Sequence, residues 1–198
     1  MKILAFVDSH GIAEVWDILK QKVIVKNPDL IICGGDITIF ESRIEEEMKY
    51  LSELGKPVLV IHGNHETSNA MLREAEKYNN ITFLHKKWYR EGGYLFFGYG
   101  GGGFSLVDVG FEKIAKRFAK EIKEGDKVVL ITHGPPFDTT IDLIEDDHVG
   151  CKSYRKFIDK HDIPIVISGH LHENSGVIDI INGKKIINPG PEGLVFDV

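Results

Sequence analysis

Five short polar motifs carry the side chains of this sequence that are best suited to metal chemistry. Each motif directly follows a run of apolar residues, many of them β-branched, of the kind that forms a buried strand. Two carboxylates, four imidazoles and an amide oxygen, with one histidine left over, are enough ligands for two adjacent divalent ions. The candidate residues are Asp8, His10, Asp36, Asn64, His65, His133, His170 and His172.

The position of these motifs matters as much as their residue types. Gly63-Asn64-His65-Glu66 follows an apolar strand predicted at residues 57–61, and taken alone it is an ordinary strand-to-helix turn. The same ordinary interpretation is available for each of the other motifs. It does not explain why all five lie at the carboxyl ends of predicted strands, which is where open α/β sheets bind their ligands.

The segments between the first motifs predict alternating strands and helices. Strands are predicted at residues 2–7, 29–33 and 57–61, and helices over residues 13–25 and from about 44 to 54. Ser42 and Glu45 have the spacing of a capping box at the start of the second helix. This βαβαβ beginning favours a parallel sheet.

The second half of the chain predicts more hairpins. Strands at residues 81–84, 87–90 and 94–99 leave little room for helices between them, and Asn182-Gly183 marks a closing hairpin over residues 177–187. Between these regions we predict a helix over residues 111–122, strands at 127–132 and 163–168, and a short helix near 154–158. The run Gly100–Gly103 lacks the Lys-Ser/Thr ending of a nucleotide P-loop, so we predict a flexible loop.

Composition and length limit the classes of protein to consider. A chain of 198 residues with 42% hydrophobic residues suits a single domain over residues 1–198. Its net charge of -6 makes extended nucleic acid an unexpected partner. We find no signal-peptide pattern and no apolar run long enough for a membrane span, so a cytoplasmic protein is expected. Cys33 and Cys151 are far apart in the sequence and are predicted to be free thiols.

The ordered set Asp-x-His, Gly-Asp, Gly-Asn-His, His-Gly and Gly-His-x-His, which spans residues 8–172, resembles the calcineurin-like metallophosphoesterases. The turn Asn188-Pro189-Gly190 resembles one found late in small members of that family. The resemblance implies an α/β protein with the metallo-dependent phosphatase fold. This fold is a four-layer α/β/β/α sandwich of two mixed sheets flanked by helices, with a binuclear metal centre at the strand ends. No insertion is long enough to form a cap domain, so an open site is expected.

The resemblance also implies a role for each motif residue. One metal ion would be held by Asp8, His10 and His172, and the other by Asn64, His133 and His170. Asp36 would bridge the two ions, and His65 would face the substrate as the general acid without binding metal. The residues after Asp36, Ile37-Thr38-Ile39, depart from the family pattern and leave the shape of that loop open.

The expected function is that of a dimetal-dependent phosphoesterase acting on a small or exposed phosphate ester, preferably a phosphodiester. The reaction would be in-line attack by a metal-bridging hydroxide, and the mixed nitrogen and oxygen ligands suit manganese, iron or zinc. Phosphomonoesterase and nucleotide pyrophosphatase activities share these residues and stay open as alternatives, and a nuclease is disfavoured by the charge. A non-catalytic interaction module of the same fold should show eroded ligands, whereas every ligand is present here.

Four other histidines need separate interpretations. His62 either supports the site from the preceding strand or packs within it, and His85 and His161 are predicted to be solvated surface residues. His148 lies in the long loop after His133, which should pass close to the metals. We therefore predict that His148, together with Asn64, contributes to substrate binding.

Overall fold

The protein, described here by a computed structural model over all residues 1–198, contains thirteen strands and five α-helices. Two single-turn 3-10 helices lie at Thr140–Asp142 and His172–Asn174. In chain order the other elements are β1 (Lys2–Phe6), α1 (Ala13–Lys26), β2 (Leu30–Cys33), α2 (Ile44–Glu53), β3 (Val58–Val60), α3 (Ser68–Ala75), β4 (Ile81–Phe83), β5 (Lys87–Glu91), β6 (Tyr94–Tyr99), α4 (Val109–Phe118), β7 (Lys127–Thr132), β8 (Leu143–Ile144), β9 (Asp147–His148), α5 (Lys152–Lys160), β10 (Ile165–Ile167), β11 (Ile178–Ile181), β12 (Lys184–Ile187) and β13 (Leu194–Asp197).

Eleven of the thirteen strands form two large mixed sheets, and β8 and β9 pair as a separate two-stranded sheet. The first has the order β13-β1-β2-β3-β4, in which β1 to β4 are parallel and β13 is antiparallel to β1. The second has the order β11-β12-β10-β7-β6-β5, with parallel strands in the middle and an antiparallel strand at each edge. Because the central strands are parallel, their carboxyl ends meet at one edge of each sheet.

Three apolar clusters show how the layers pack. Leu4 and Phe6 of β1 pack against the helices α1 to α3, whereas Ile3 and Ala5 of the same strand pack against the second sheet. A third cluster lies between the second sheet and the helices α4 and α5. Side chains alternate across a strand, so a strand buried on both faces must be apolar at every position. The layers are therefore α/β/β/α, as the resemblance implied.

Several sequence-based expectations about elements are confirmed. The chain begins with the predicted parallel βαβαβ unit, and the closing hairpin of β11 and β12 turns at Asn182 and Gly183. Cys33 and Cys151 are both buried free thiols. None of the helices has the length and apolar character needed to cross a membrane.

Two other expectations were wrong, and one strand was missed. The capping box of Ser42 and Glu45 does not form, because Arg43 occupies the N-cap position of α2 in a left-handed conformation and makes no side-chain cap bond. Strand β4 pairs in parallel with β3 and extends the first sheet, so it takes no part in a hairpin with β5. Strand β13 was not predicted at all, although its pairing with β1 completes the first sheet.

Candidate metal centre

The five polar motifs meet where the two sheets present the carboxyl ends of β1, β2, β3, β7 and β10. Val7 and Asp8 continue β1, and the amide N–H of Asp8 donates to the carbonyl of Gly35 (3.0 Å), which joins the first motif to the second. The amide N–H of His170, which follows β10, donates to Oδ2 of Asp8 (2.8 Å). This bond links the two sheets directly, and the site is therefore built from both halves of the sandwich.

Asp8, His10 and His172 form the first group of candidate ligands. Their potential ligand atoms all lie within 4.8 Å of one another. Nδ1 of His10 donates to the carbonyl of Thr38 (3.1 Å), so the Nε2 of the neutral ring carries a lone pair. That Nε2 lies 3.1 Å from Nε2 of His172. A cation shared by the two rings fits this arrangement, and Oδ1 of Asp8, which is buried without a hydrogen-bond partner, adds an anionic ligand.

His133 lies between the carboxylates of Asp8 and Asp36. Its Nε2 is 3.3 Å from Oδ2 of Asp36 and 2.9 Å from Oδ1 of Asn64, and its Nδ1 donates to the carbonyl of Gly34 (3.0 Å). Burial lowers the pKa of His133, but the bond to Asp36 and the two carboxylate charges outweigh burial and raise its pKa to about 9. The two carboxylates around this fully buried ring therefore favour a positive charge at this position.

The two carboxylates have opposite pKa shifts. Burial raises the pKa of Asp8, and the nearby charge of Asp36 adds to that effect. Burial also acts to raise the pKa of Asp36, but its bond to His133 and the His133 charge lower it to about 2. His133 therefore stabilises the ionised form of Asp36 at the middle of the cluster.

His170 is the candidate histidine ligand that is least closely grouped with the other candidate ligands. Its ring centroid lies 5.3 Å from that of His133, and it belongs to none of the three tightest groups of ligand atoms. Its Nε2 is buried without a hydrogen-bond partner, and burial lowers the pKa of His170 to about 4. A neutral ring with an unshared lone pair beside His133 has the chemistry of a metal ligand.

His65 lies close enough to the ligands to join them. Its Nε2 is 4.0 Å from Oδ2 of Asp36, and it forms a ligand group with His10 and Asp36. The amide N–H of His65 donates to Oδ1 of Asp36 (2.9 Å), which fixes the turn. The structure thus places His65 within the cluster of candidate ligands. Its assignment as a general acid rather than a ligand stays a prediction.

Four of the candidate ligands have strained backbones. Asp8, His10, Asp36 and His170 all have positive φ angles, of 57°, 46°, 51° and 72°. Residues other than glycine in this region cost about 1–3 kcal/mol each and persist where the surrounding structure and the function require them. Four of the thirteen non-glycine residues with positive φ thus lie together among the candidate ligands, which supports this edge of the sandwich as the candidate functional site.

Gly63 and Gly169 allow the motifs to approach one another. A Cβ atom on Gly63 would lie 1.9 Å from Oδ1 of Asp36, and one on Gly169 would lie 2.6 Å from Oδ2 of Asp8. Any side chain at either position would displace a candidate ligand. Gly63 and Gly169 are therefore required for close packing around the carboxylates.

Glu66 is a supporting residue to which the sequence analysis gave no role. Its buried carboxylate accepts hydrogen bonds from the amide groups of Asp36 (3.0 Å), Thr38 (2.9 Å) and Gly63 (3.0 Å), and from the hydroxyl of Thr38 (2.9 Å). Burial raises the pKa of Glu66, but all four partners are donors that stabilise the ionised form. An acidic residue at the end of a metal-type motif was the only sequence signal.

His148 and His62 both contact neighbouring polar groups. His148, on β9, binds the buried carboxylate of Asp142 through Nδ1 (2.6 Å) and does not line the cleft that holds His10 and His65. Its contact with substrate therefore stays a prediction. His62 is buried, with its Nδ1 2.8 Å from the carbonyl of Gly63, so it packs directly behind the motif.

His85 and His161 are both half-buried, so the expectation that they are solvated surface residues was wrong. Nδ1 of His85 accepts a hydrogen bond from the amide of Gly100 (2.8 Å), and its ring packs 4.5 Å from the ring of His62. Burial lowers the pKa of His85 to about 3. The ring of His161 lies 4.7 Å from that of Phe157. The Gly100–Gly103 loop thus packs against the back of the site through His62 and His85.

The residues present fit divalent metal ions. The Nε2 atoms of His10 and His172 face each other at 3.1 Å, and buried ligand atoms of Asp8 and His170 lack any partner. In the absence of a cation these contacts are unfavourable, because a buried polar atom without a partner costs free energy. Imidazole, carboxylate and amide ligands together suit borderline ions such as zinc, iron and manganese.

Solved structures with low sequence identity share this fold. The TT1561 protein of Thermus thermophilus has a TM-score of 0.78 and 17% identity, with 96% of this chain and 88% of that chain covered. A dimetal phosphatase of Danio rerio has a TM-score of 0.66 and 12% identity, with 94% and 86% covered. The fold is therefore that of the metallo-dependent phosphatases.

The sequence also matches a family model and two related proteins. The model that describes calcineurin-like phosphoesterases matches residues 1–174. An uncharacterised protein of Methanocaldococcus jannaschii is 29% identical over 224 residues, which cover 100% of this chain and 92% of the relative. A UPF0046 protein of Caenorhabditis elegans is 31% identical over 201 residues, and the match covers 90% of this chain but 66% of that protein. The chain belongs to the calcineurin-like phosphoesterase family, whose members are metal-dependent hydrolases of phosphate esters.

Proposed function

We propose that this protein is a dimetal-dependent phosphodiesterase acting on a small or exposed substrate. The observation that supports this proposal best is the convergence of seven ligand-type side chains from both sheets on one edge of the sandwich. Asp8, His10 and His172 would hold one ion, Asn64, His133 and His170 the other, and Asp36 both. Bound divalent ions supply Lewis-acid stabilisation of the phosphoryl group and a nucleophile from water at neutral pH.

The protein's own residues supply the remaining chemistry. His65 lines the cleft, and its Nε2, 4.0 Å from Oδ2 of Asp36, is the ring nitrogen that would donate a proton to the departing alkoxide. Asp36 holds the backbone of His65 in place, and Glu66 holds the backbone of Asp36. This chain of bonds positions the proton donor relative to the metal ligands, which is the requirement for efficient proton transfer.

The lining of the cleft favours a diester over the alternatives. Asp8, His10, Ile12, Ile39, His65, His172, Ser175 and Pro191 line it, and none of these is a lysine or an arginine. Sites for a monoester dianion or a second phosphate commonly use lysine or arginine to balance the additional charge. A phosphodiester carries one negative charge and needs no such residue. Phosphomonoesterase activity remains the second candidate, because the metal ligands are the same.

A substrate screen with defined metals tests this proposal. Metal-stripped protein is loaded with manganese, iron or zinc and is offered bis(4-nitrophenyl) phosphate and 4-nitrophenyl phosphate. We expect hydrolysis of the diester at a higher kcat/KM than that of the monoester. The Asp36→Asn variant, treated in the same way, controls for contaminating phosphatases. A preference for the monoester supports the second candidate, and no hydrolysis of either ester with any metal supports the interaction module.

A further inference from the structure

Three large apolar side chains are exposed beside the proposed proton donor. Ile12, Ile39 and Phe40 are 48%, 52% and 77% exposed. Ile12 and Ile39 line the same cleft as His65, which has a volume of about 570 Å³. The ring of Phe40 packs on the ring of His65, with 4.5 Å between their centroids. Single exposed apolar residues are common on protein surfaces, but a group of them beside a polar reaction site indicates a binding surface.

Phe40 is unfavourable in two independent ways. Its backbone has a φ of 49°, which is strained for a bulky residue, and its aromatic ring faces water. The structure nevertheless holds this segment firmly. The amide of the next residue, Glu41, donates to the carbonyl of His65 (3.1 Å), and the Glu41 carboxylate accepts from the amide of Thr67 (2.7 Å). Such retained strain is typical of residues that contact a ligand.

We propose that Ile12, Ile39 and Phe40 form an apolar subsite for the alcohol that leaves during hydrolysis. This inference rests on the proposed function, in which His65 protonates that alcohol. A group packed on His65 must contact the leaving group and not the ester group that remains on phosphorus. The cleft also lacks a lysine or arginine that would favour a charged leaving group. The substrate class is therefore a phosphodiester with an alkyl or aryl leaving alcohol.

The reaction balances without any further reagent. The oxygen of water forms a bond to phosphorus while the bond from phosphorus to the alcohol oxygen breaks. His65 gives its proton to the alkoxide, and a proton from the attacking water restores His65. The products are an apolar alcohol and a phosphate monoester, and neither oxidation nor reduction takes place.

Methyl n-hexyl phosphate tests the subsite within a single substrate. The two alkoxides have similar intrinsic leaving ability, so the product ratio reports which ester group occupies the leaving position. Release of hexanol leaves methyl phosphate, and release of methanol leaves hexyl phosphate. At low conversion we expect methyl phosphate to exceed hexyl phosphate by about tenfold or more, because the five additional methylene groups of the hexyl chain are buried in the subsite. Equal products, or an excess of hexyl phosphate, would overturn the proposal.

Two substitutions test whether the preference for releasing hexanol depends on the side chains of the apolar subsite. Phe40→Asn removes the ring but keeps a residue type that tolerates positive φ, so folding should be retained. Ile39→Ser removes the second apolar side chain. Each variant should lower the ratio of methyl phosphate to hexyl phosphate severalfold, while hydrolysis of the diester continues. Ile180→Ser on β11 removes an apolar residue of similar exposure, 67%, from outside the cleft, and should leave the ratio unchanged. A ratio that is unchanged in both Phe40→Asn and Ile39→Ser would contradict the assignment.

A binding measurement separates failure of the subsite from failure of the proposed function. If neither product forms with any metal, the proposed function is wrong. Saturation-transfer NMR with n-hexanol and metal-free protein still tests the subsite in that case. We expect magnetisation transfer to the alkyl chain with the natural protein and with Ile180→Ser, and a marked loss with Phe40→Asn. Equal transfer in all three proteins would overturn the subsite.

Discussion

Asp36 occupies the point where the candidate ligand groups meet. Its Oδ2 lies 3.3 Å from Nε2 of His133, 3.9 Å from Nε2 of His10 and 4.0 Å from Nε2 of His65. We predict that Asp36→Asn lowers the occupancy of both metal sites, because it removes the negative charge that both share. The variant keeps an acceptor for the amide of His65, so the fold should persist by circular dichroism. Elemental analysis that finds two full equivalents of metal in the folded variant would contradict the bridging role.

Substitutions of His65 and of its neighbour Asn64 should have different effects on rate and on metal binding. We predict that His65→Gln retains metal but loses about 10²–10⁴-fold in rate, which is the usual contribution of a positioned general acid. The loss should be largest for alkoxide leaving groups and small for nitrophenolate, which departs without a proton. Asn64→Ala should instead lose metal first, because its Oδ1 lies 2.9 Å from Nε2 of His133. Equal losses across leaving groups would contradict the general-acid role, and loss of metal in His65→Gln would show that His65 serves as a ligand.

At the scale of elements, the turn after β3 and the loop after β2 are held together by Glu66. One carboxylate oxygen binds the amides of Asp36 and Gly63, and the other binds the amide and hydroxyl of Thr38. Thr38 in turn accepts a hydrogen bond from His10 through its carbonyl. Three of the motif-bearing loops therefore depend on a single buried anion that lies in none of the candidate ligand groups.

We predict that Glu66→Gln weakens metal binding and the fold together. The amide group of Gln places N–H donors against backbone N–H donors, which leaves buried groups unpaired at a cost of about 1–3 kcal/mol. Urea denaturation measures the loss of stability, and a metal titration measures the loss of affinity. Glu45→Gln, on the exposed surface of α2, is the matched control and should change neither. Unchanged metal affinity in Glu66→Gln would mean that the loops are positioned without this carboxylate.

At the scale of the whole molecule, the sequence predicts best where local pattern and topology agree. Apolar runs ending in Asp8, Asp36 and Asn64 predicted both the parallel strands and the shared edge, because adjacent parallel strands present their ends together. The role of Glu66 could not be predicted, since its partners are backbone amides whose directions depend on loop conformation. The partial burial of His85 also could not be predicted, because it arises from the contact with Gly100, 15 residues away. Strand β13 was missed because a short edge strand forms mainly through pairing with its neighbour, here β1, and not through its own local sequence pattern.

The site also joins the two sheets, so metal binding should stabilise the molecule as a whole. Asp8, Asp36 and Asn64 follow strands of the first sheet, whereas His133 and His170 follow strands of the second. A chain that unfolds must separate these ligands, and metal therefore binds the native state in preference to the unfolded state. At a free metal concentration 100 times the dissociation constant, binding adds about 2.7 kcal/mol per site.

For a chain of 198 residues, that gain predicts a rise in Tm of roughly 5–10 °C per site. Calorimetry of metal-stripped protein with increasing manganese, iron or zinc measures the rise. His65→Gln should show the same rise as the natural protein, because its metal sites are intact, whereas Asp36→Asn should show little. A rise of equal size in Asp36→Asn would mean that the metal stabilises the protein from a different place. No rise with any of the three ions would contradict a native site built from both sheets.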